Sequence, residues 1–112
     1  MKNIDMILLA AMVAWASSTM ADDNTTLAGQ GKYVFDKWCA SCHAMGSRMP
    51  GTASLAVKYG GSIPAALEER KDLNLDFIRY FVRNGALIMP PFRKTEVSDT
   101  DLAALAAYLG HK

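Results

Sequence analysis

The segment Cys39-Ala40-Ser41-Cys42-His43 constrains this chain more than any other feature. Two cysteines separated by two residues and followed at once by a histidine form the pattern for covalent attachment of a haem. Each residue type has its own chemistry. The two thiols can add across the two vinyl groups of one porphyrin, and the adjoining imidazole then reaches the iron from the same side. A chain carrying this segment is expected to fold around a large, flat, apolar plate. Two other uses of the same residues fit less well. A thioredoxin-like redox pair belongs to a strand-helix-strand unit, which the flanking sequence lacks, and it would leave His43 idle. A zinc site takes four ligands and favours paired clusters, whereas Cys39, Cys42, His43 and the distant His111 exhaust the cysteines and histidines.

Residues 1–21 read as a cleaved secretory signal peptide. Lys2 lies near the start, an apolar run extends from Met6 to Ala16, and Ser17-Ser18-Thr19-Met20-Ala21 follows, with cleavage expected after Ala21. Asp5 departs from a wholly positive start. The apolar run of 11 residues is far short of the roughly 20 that span a bilayer, so no membrane anchor is expected after cleavage. Export to the periplasm agrees with the haem, which bacteria attach in this way outside the cytoplasm. What remains, residues 22–112, is a single domain of 112 − 21 = 91 residues. So small a domain buries a limited share of its surface, and a porphyrin at its centre adds core volume that side chains cannot supply. The formal net charge of +1 offers no basic excess for nucleic acid.

Helical periodicity dominates the rest. Leu27, Gly31, Val34, Phe35 and Trp38 recur at intervals of three and four, the face of a helix capped by Thr25 or Thr26 and running toward Cys39. A glycine on that face suits close passage of another helix. After His43, glycines and prolines punctuate a long connection expected to wrap a haem edge, with a short helix over 52–59 and Leu55, Val57 and Tyr59 turned inward. Pro50 either lends its carbonyl to the free ring N–H of His43 or is a simple loop proline. Pro64 can open a short helix through residue 70. Asn74 caps a helix over 75–84 that stops at Gly85, with Phe77, Ile78, Phe81 and Val82 as its buried side. Arg79 and Arg83 lie on another face, solvated or available for docking. Ser98 and Asp101 form a capping box, and Val97 staples onto Leu102, so the last helix starts at Asp99 and ends at Gly110. Its slim Ala103, Ala104 and Ala107 suit a crossing over Gly31, with Tyr108 beside Phe35.

Elimination selects the second axial ligand. Four of the seven methionines leave with the leader, and Met45 and Met49 follow His43 too closely for the chain to pass round a porphyrin. Met89 remains, in a Met89-Pro90-Pro91-Phe92 segment stiffened by two prolines. A thioether there closes the iron for electron transfer. The rival, His111, lies on a short tail past the final helix and is expected to be exposed.

These features together resemble a class I c-type cytochrome across residues 27–109. The resemblance implies an all-α fold of about four to five helices around one covalently bound haem c, with first and last helices crossing. It implies Cys39 and Cys42 as thioether positions and His43 and Met89 as axial ligands. A narrower resemblance is carried by three segments. They are Phe77-Ile78-Arg79-Tyr80-Phe81-Val82-Arg83-Asn84-Gly85, the run Met89-Pro90-Pro91-Phe92-Arg93-Lys94-Thr95-Glu96-Val97-Ser98-Asp99, and Arg48-Met49-Pro50-Gly51-Thr52-Ala53-Ser54-Leu55. These are similar to the cytochrome subunits of flavocytochromes that hydroxylate 4-alkylphenols of the 4-cresol and eugenol type. That likeness implies an electron-accepting role beside a flavoprotein subunit or other redox protein, with no catalytic residues in this chain. The alternative is a free periplasmic shuttle between a dehydrogenase and a terminal oxidase. A vacant sixth iron position would instead make a ligand-binding or peroxidatic haem protein.

Overall fold

Helix α1 (Leu27–Trp38) begins at Thr26, whose hydroxyl accepts the Gly29 N–H at 2.9 Å. It belongs to a computed structural model that describes residues 25–110; the expected signal peptide over 1–21 and His111 lie outside them. Four more α-helices follow: α2 (Ala40–His43), α3 (Pro50–Tyr59), α4 (Leu75–Asn84) and α5 (Asp99–Gly110). No strand occurs among the described residues, so the all-α expectation holds. None of these helices is long and apolar enough to cross a membrane.

The core is the α1–α5 crossing with α4 laid against it. Gly31 lies where the helices meet, and a Cβ built there would be 1.9 Å from the Ala104 carbonyl oxygen and 2.8 Å from Tyr108 Cβ. One turn further along, the Phe35 and Tyr108 rings pack at 5.8 Å. Around them Leu102, Leu105, Leu109 and Val97 are almost completely buried. The start of α5 follows the capping box: the Asp101 N–H donates to Ser98 Oγ at 3.0 Å, and the Ser98 N–H donates to the Asp101 carboxylate at 2.9 Å. Val97 and Leu102, on either side of that cap, are both buried in the core, as a hydrophobic staple requires.

α4 corrects the sequence reading in part. Asn74 caps it by accepting the Phe77 N–H, and Gly85 ends it. Only Ile78 and Val82 are buried, while Phe77 is 38% exposed and Phe81 half-buried. The Phe77–Phe81 edge lies about 100° round the helix from the Ile78–Val82 edge, and only the second meets the core. α3 begins at Pro50 rather than residue 52, since a proline is well tolerated at the first helical position. Val57 points outward and is 86% exposed, not inward as expected. Two residues of α-helix turn through about 200°, so Leu55 and Val57 cannot share a face.

The helix expected over 64–70 is only a 3₁₀ turn, Leu67–Glu69. Ahead of it Ala66 is extended, and behind it Arg70 is turned into the protein, 3% exposed. Its guanidinium donates to the Asp72 carboxylate through Nε at 2.8 Å and Nη2 at 2.5 Å, and to the Tyr59 hydroxyl at 3.2 Å. The rings of Tyr59 and Phe77 flank it at 5.3 and 5.4 Å. Satisfying a buried cation overrides local helix propensity here. The hydrogen bond from Arg70 in turn holds the Asp72 carboxyl below its ordinary range. A lowered carboxyl stabilises the fold above the unfolded-state value and ceases to do so as pH falls through the folded one. Asp72→Asn is therefore expected to cost about 1 kcal/mol at neutral pH, held to that by the carboxylate's exposure. The gap to the unsubstituted protein should narrow as pH falls below the ordinary carboxylate range, which urea titrations at neutral and at acid pH would measure.

Candidate functional site

α1 and α2 form one helical path interrupted at Cys39, whose N–H donates to the Phe35 carbonyl at 2.8 Å while its own carbonyl accepts from the His43 N–H at 2.9 Å. The interval from Cys39 to Cys42 is three residues and that to His43 is four, so all three side chains share a helical side. Cys39 is half-buried and Cys42 is exposed, and no disulfide joins them. Burial, with the neighbouring Cys42, pushes the Cys39 thiol up to about 11. A thiol raised in this way is unlike the lowered thiol of an activated redox pair.

His43 is half-buried, and burial lowers its pKa, which keeps the imidazole neutral as a metal ligand requires. Nδ1 is buried without a hydrogen-bond partner. The Pro50 carbonyl does not bond to it: Pro50 is the first residue of α3, where its carbonyl falls in the helix ladder. Against the ring lies Gly51 instead, where a Cβ would sit 2.8 Å from His43 Cε1 and 2.9 Å from Nδ1. The buried Thr52 hydroxyl donates to the Ala44 carbonyl at 2.7 Å and ties α3 to the chain just past His43. Two cysteines and an adjoining imidazole on a single helical side fit a covalently attached haem. An open cleft of about 520 Å³ bordered by Met45, Thr52, Ala56, Ala66 and Glu69 includes none of these groups.

Met89 comes from a different segment, the loop between α4 and α5. The Ala86 and Met89 backbones exchange two hydrogen bonds of 3.1 and 2.9 Å around a tight turn with Leu87 and Ile88 at its tip. Leu87 has φ 54°, so a leucine occupies the place where such a turn usually carries glycine. Its side chain is fully exposed, and Ile88 is 85% exposed. Behind the turn, the Phe92 N–H donates to the Val82 carbonyl at 2.7 Å. Arg83 spans the loop, donating to the carbonyls of Phe92 at 3.1 Å and Val97 at 2.8 Å and to Asp99 at 3.0 Å. This separates the two arginines of α4: Arg79 only pairs with Asp76 at the surface, whereas Arg83 holds the methionine loop closed. The Trp38 and Phe92 rings meet edge to face at 5.9 Å. Trp38 precedes Cys39 and Phe92 is three residues beyond Met89, so this contact joins the two halves of the candidate site.

Residues 26–109 match the protein family described as cytochrome C oxidase, cbb3-type, subunit III. The chain is also 27% identical over 103 residues to cytochrome c-552 of Bradyrhizobium diazoefficiens, covering 92% of this chain and 88% of that one. To the 4-cresol dehydrogenase [hydroxylating] cytochrome c subunit of Pseudomonas putida it is 30% identical, over 93% of this chain and 76% of that protein. To cytochrome c6 of Tetradesmus obliquus it is 36% identical, over 70% and 83%. The family match over most of the chain, the helical fold and the Cys39-to-His43 segment agree with one another, and the chain belongs to this cytochrome c family, as an electron carrier with one covalently bound haem c and no substrate chemistry of its own.

Proposed function

We propose that Cys39 and Cys42 hold the haem through thioether bonds, that His43 and Met89 are its axial ligands, and that the protein takes single electrons from a flavoprotein that oxidises 4-alkylphenols in the periplasm. The observation that carries the partner is the 30% identity to a cytochrome subunit of 4-cresol dehydrogenase. The bound haem supplies one-electron cycling between Fe(III) and Fe(II). The residues do the rest: Trp38 and Phe92 close the space between the two ligand segments, and Arg83 fixes the loop that carries Met89. A partner would dock beside that loop. Leu87 and Ile88 offer it an apolar tip next to Met89, and Arg93 and Lys94, both exposed, follow a few residues along the same loop. A small apolar contact with a charged rim suits a partner that binds, transfers an electron and leaves.

The alternative, a free shuttle, is supported by the similarity to cytochromes c-552 and c6, whose names mention no enzyme subunit. Affinity purification from the native periplasm followed by a flavin assay separates the two. A flavoprotein recovered in constant proportion supports the subunit; a monomer free of flavin leaves the shuttle. For the ligand set, the oxidised holoprotein is expected to display a sulfur-to-iron charge-transfer band at the red end of the visible spectrum. Met89→Ala should abolish it while the covalent haem mass is retained, and persistence of the band would defeat the assignment.

A further inference from the structure

The loop that carries Met89 is tied down only at its ends. At the near end the Gly85 N–H donates to the Phe81 carbonyl at 2.7 Å. Residues 86–91 then bond only within themselves: the Ala86 and Met89 backbones exchange their two hydrogen bonds, and Pro90 and Pro91 have no N–H to give. The far anchor is Phe92, whose N–H donates to the Val82 carbonyl at 2.7 Å and whose carbonyl accepts from Arg83 at 3.1 Å. With its backbone held to α4 in this way, Phe92 sets its ring edge to face against Trp38, with centroids 5.9 Å and planes 74° apart. Trp38 is fixed in turn. It is the last residue of α1, packs against the core, and carries the Lys37 ammonium 5.2 Å from its ring centroid.

We infer that Trp38 is a positioning residue which, through Phe92, latches the Met89 loop to the haem-attachment helix and so sets how rarely the sixth iron position opens. This rests on the proposed ligation by Met89. A thioether is a soft donor and Fe(III) is the harder of the two iron states, so in the oxidised protein the bond to sulfur is the weaker hold. Residues 86–91 have no polar tie of their own to share the load. Both backbone anchors belong to α4, and neither reaches the segment that bears Cys39, Cys42 and His43. Among the hydrogen bonds, ion pairs and ring contacts of the described residues, the Trp38–Phe92 pair alone joins that segment to the loop. Without it the loop can swing on its α4 anchors, and a small ligand can take the place of Met89. The latch therefore keeps an electron carrier from behaving as a ligand-binding haem protein.

The test is the binding of free imidazole to the oxidised holoprotein, followed by spectroscopic titration. Imidazole enters only where the sixth position is open, so its apparent affinity is the intrinsic affinity multiplied by the open fraction. Trp38→Leu keeps an apolar side chain but loses the ring pair, and is expected to bind imidazole about three- to tenfold more tightly, the range that an aromatic pair supports. Phe92→Leu should do the same, and the double variant should gain no more than either alone, because one contact is lost in all three. Trp38→Phe, which keeps a ring, should stay close to the unsubstituted protein. In a Met89→Ala background no thioether has to be displaced, so Trp38→Leu should leave the affinity unchanged. An unchanged affinity in Trp38→Leu, gains that add in the double variant, or a gain that persists in the Met89→Ala background would each overturn the inference. If Trp38→Leu does not accumulate, Phe92→Leu with and without Met89→Ala decides by the same criterion. The ligand assignment fails separately: Met89→Ala binding imidazole no more tightly than the unsubstituted protein would remove Met89 from the iron, whatever Trp38 does.

Discussion

Gly31→Ala is expected to destabilise the protein by about 3–5 kcal/mol, which is the upper range for a single small substitution. Helix propensity alone predicts the opposite sign, a gain of about 1 kcal/mol from replacing glycine with alanine inside a helix. Geometry decides the contest. The new Cβ would fall 1.9 Å from the Ala104 carbonyl oxygen and 2.5 Å from its carbonyl carbon. Both are backbone atoms of α5, so no rotamer change relieves the overlap and the helices have to separate. Separation then loosens Phe35 from Tyr108 and opens the most deeply buried layer, Leu102, Leu105 and Leu109. A domain of this size has a total stability of only about 5–10 kcal/mol, so the melting temperature should fall by on the order of 15 °C or more. Thermal and urea unfolding of the holoprotein measure this, and a variant as stable as the original would show that α1 and α5 do not cross at Gly31.

The same crossing illustrates what a sequence discloses about such a fold. Gly31 on an apolar stripe and the small residues of the last helix point to each other because close approach leaves a compositional mark at both partners. The Ser98–Asp101 cap and the Asn74 cap were legible for a related reason, since each is satisfied within four residues of itself. Arg70 and Arg83 were not legible. Their partners lie 2 and 11 residues away for Arg70 and 9 to 16 for Arg83, and a charged residue in a local window looks the same whether it faces water or a carbonyl. Hence the short turn at Leu67–Glu69 and the different tasks of Arg79 and Arg83 leave no local mark in the sequence. In the candidate site, Cys39, Cys42 and His43 follow from local spacing, and Met89 from elimination. The contact at Gly51 leaves no such mark, because a glycine after a proline has an ordinary explanation and its close neighbours belong to another helix.

Gly85→Ala should separate haem attachment from the proposed ligation by Met89. Gly85 ends α4 with φ 68° and ψ 179°, a backbone region essentially reserved for glycine, so alanine there costs about 1–3 kcal/mol before any contact is considered. A Cβ would also stand 2.5 Å from the Met89 carbonyl oxygen and 2.9 Å from the Pro91 nitrogen. The chain carrying the thioether therefore has to retreat by about 1 Å to reach ordinary separation. Two prolines stiffen it, and Arg83 together with the Phe92 N–H to Val82 bond fixes its far end, so the displacement cannot be absorbed beyond Met89. Cys39 and Cys42 are remote from this strain in the chain and should still take up haem. The expected result is full covalent haem mass, loss of the sulfur-to-iron band, a lower midpoint potential as the thioether leaves, and a melting temperature reduced by on the order of 10–20 °C. Gly60→Ala is the comparison: Gly60 also has positive φ, 56°, but nothing lies within 4 Å of its added Cβ. It should lose about 1 kcal/mol and keep the band unchanged. A Gly85→Ala protein that retained the band at full strength would mean that Met89 is held to the iron by something other than this turn, or that the band belongs to a different ligand.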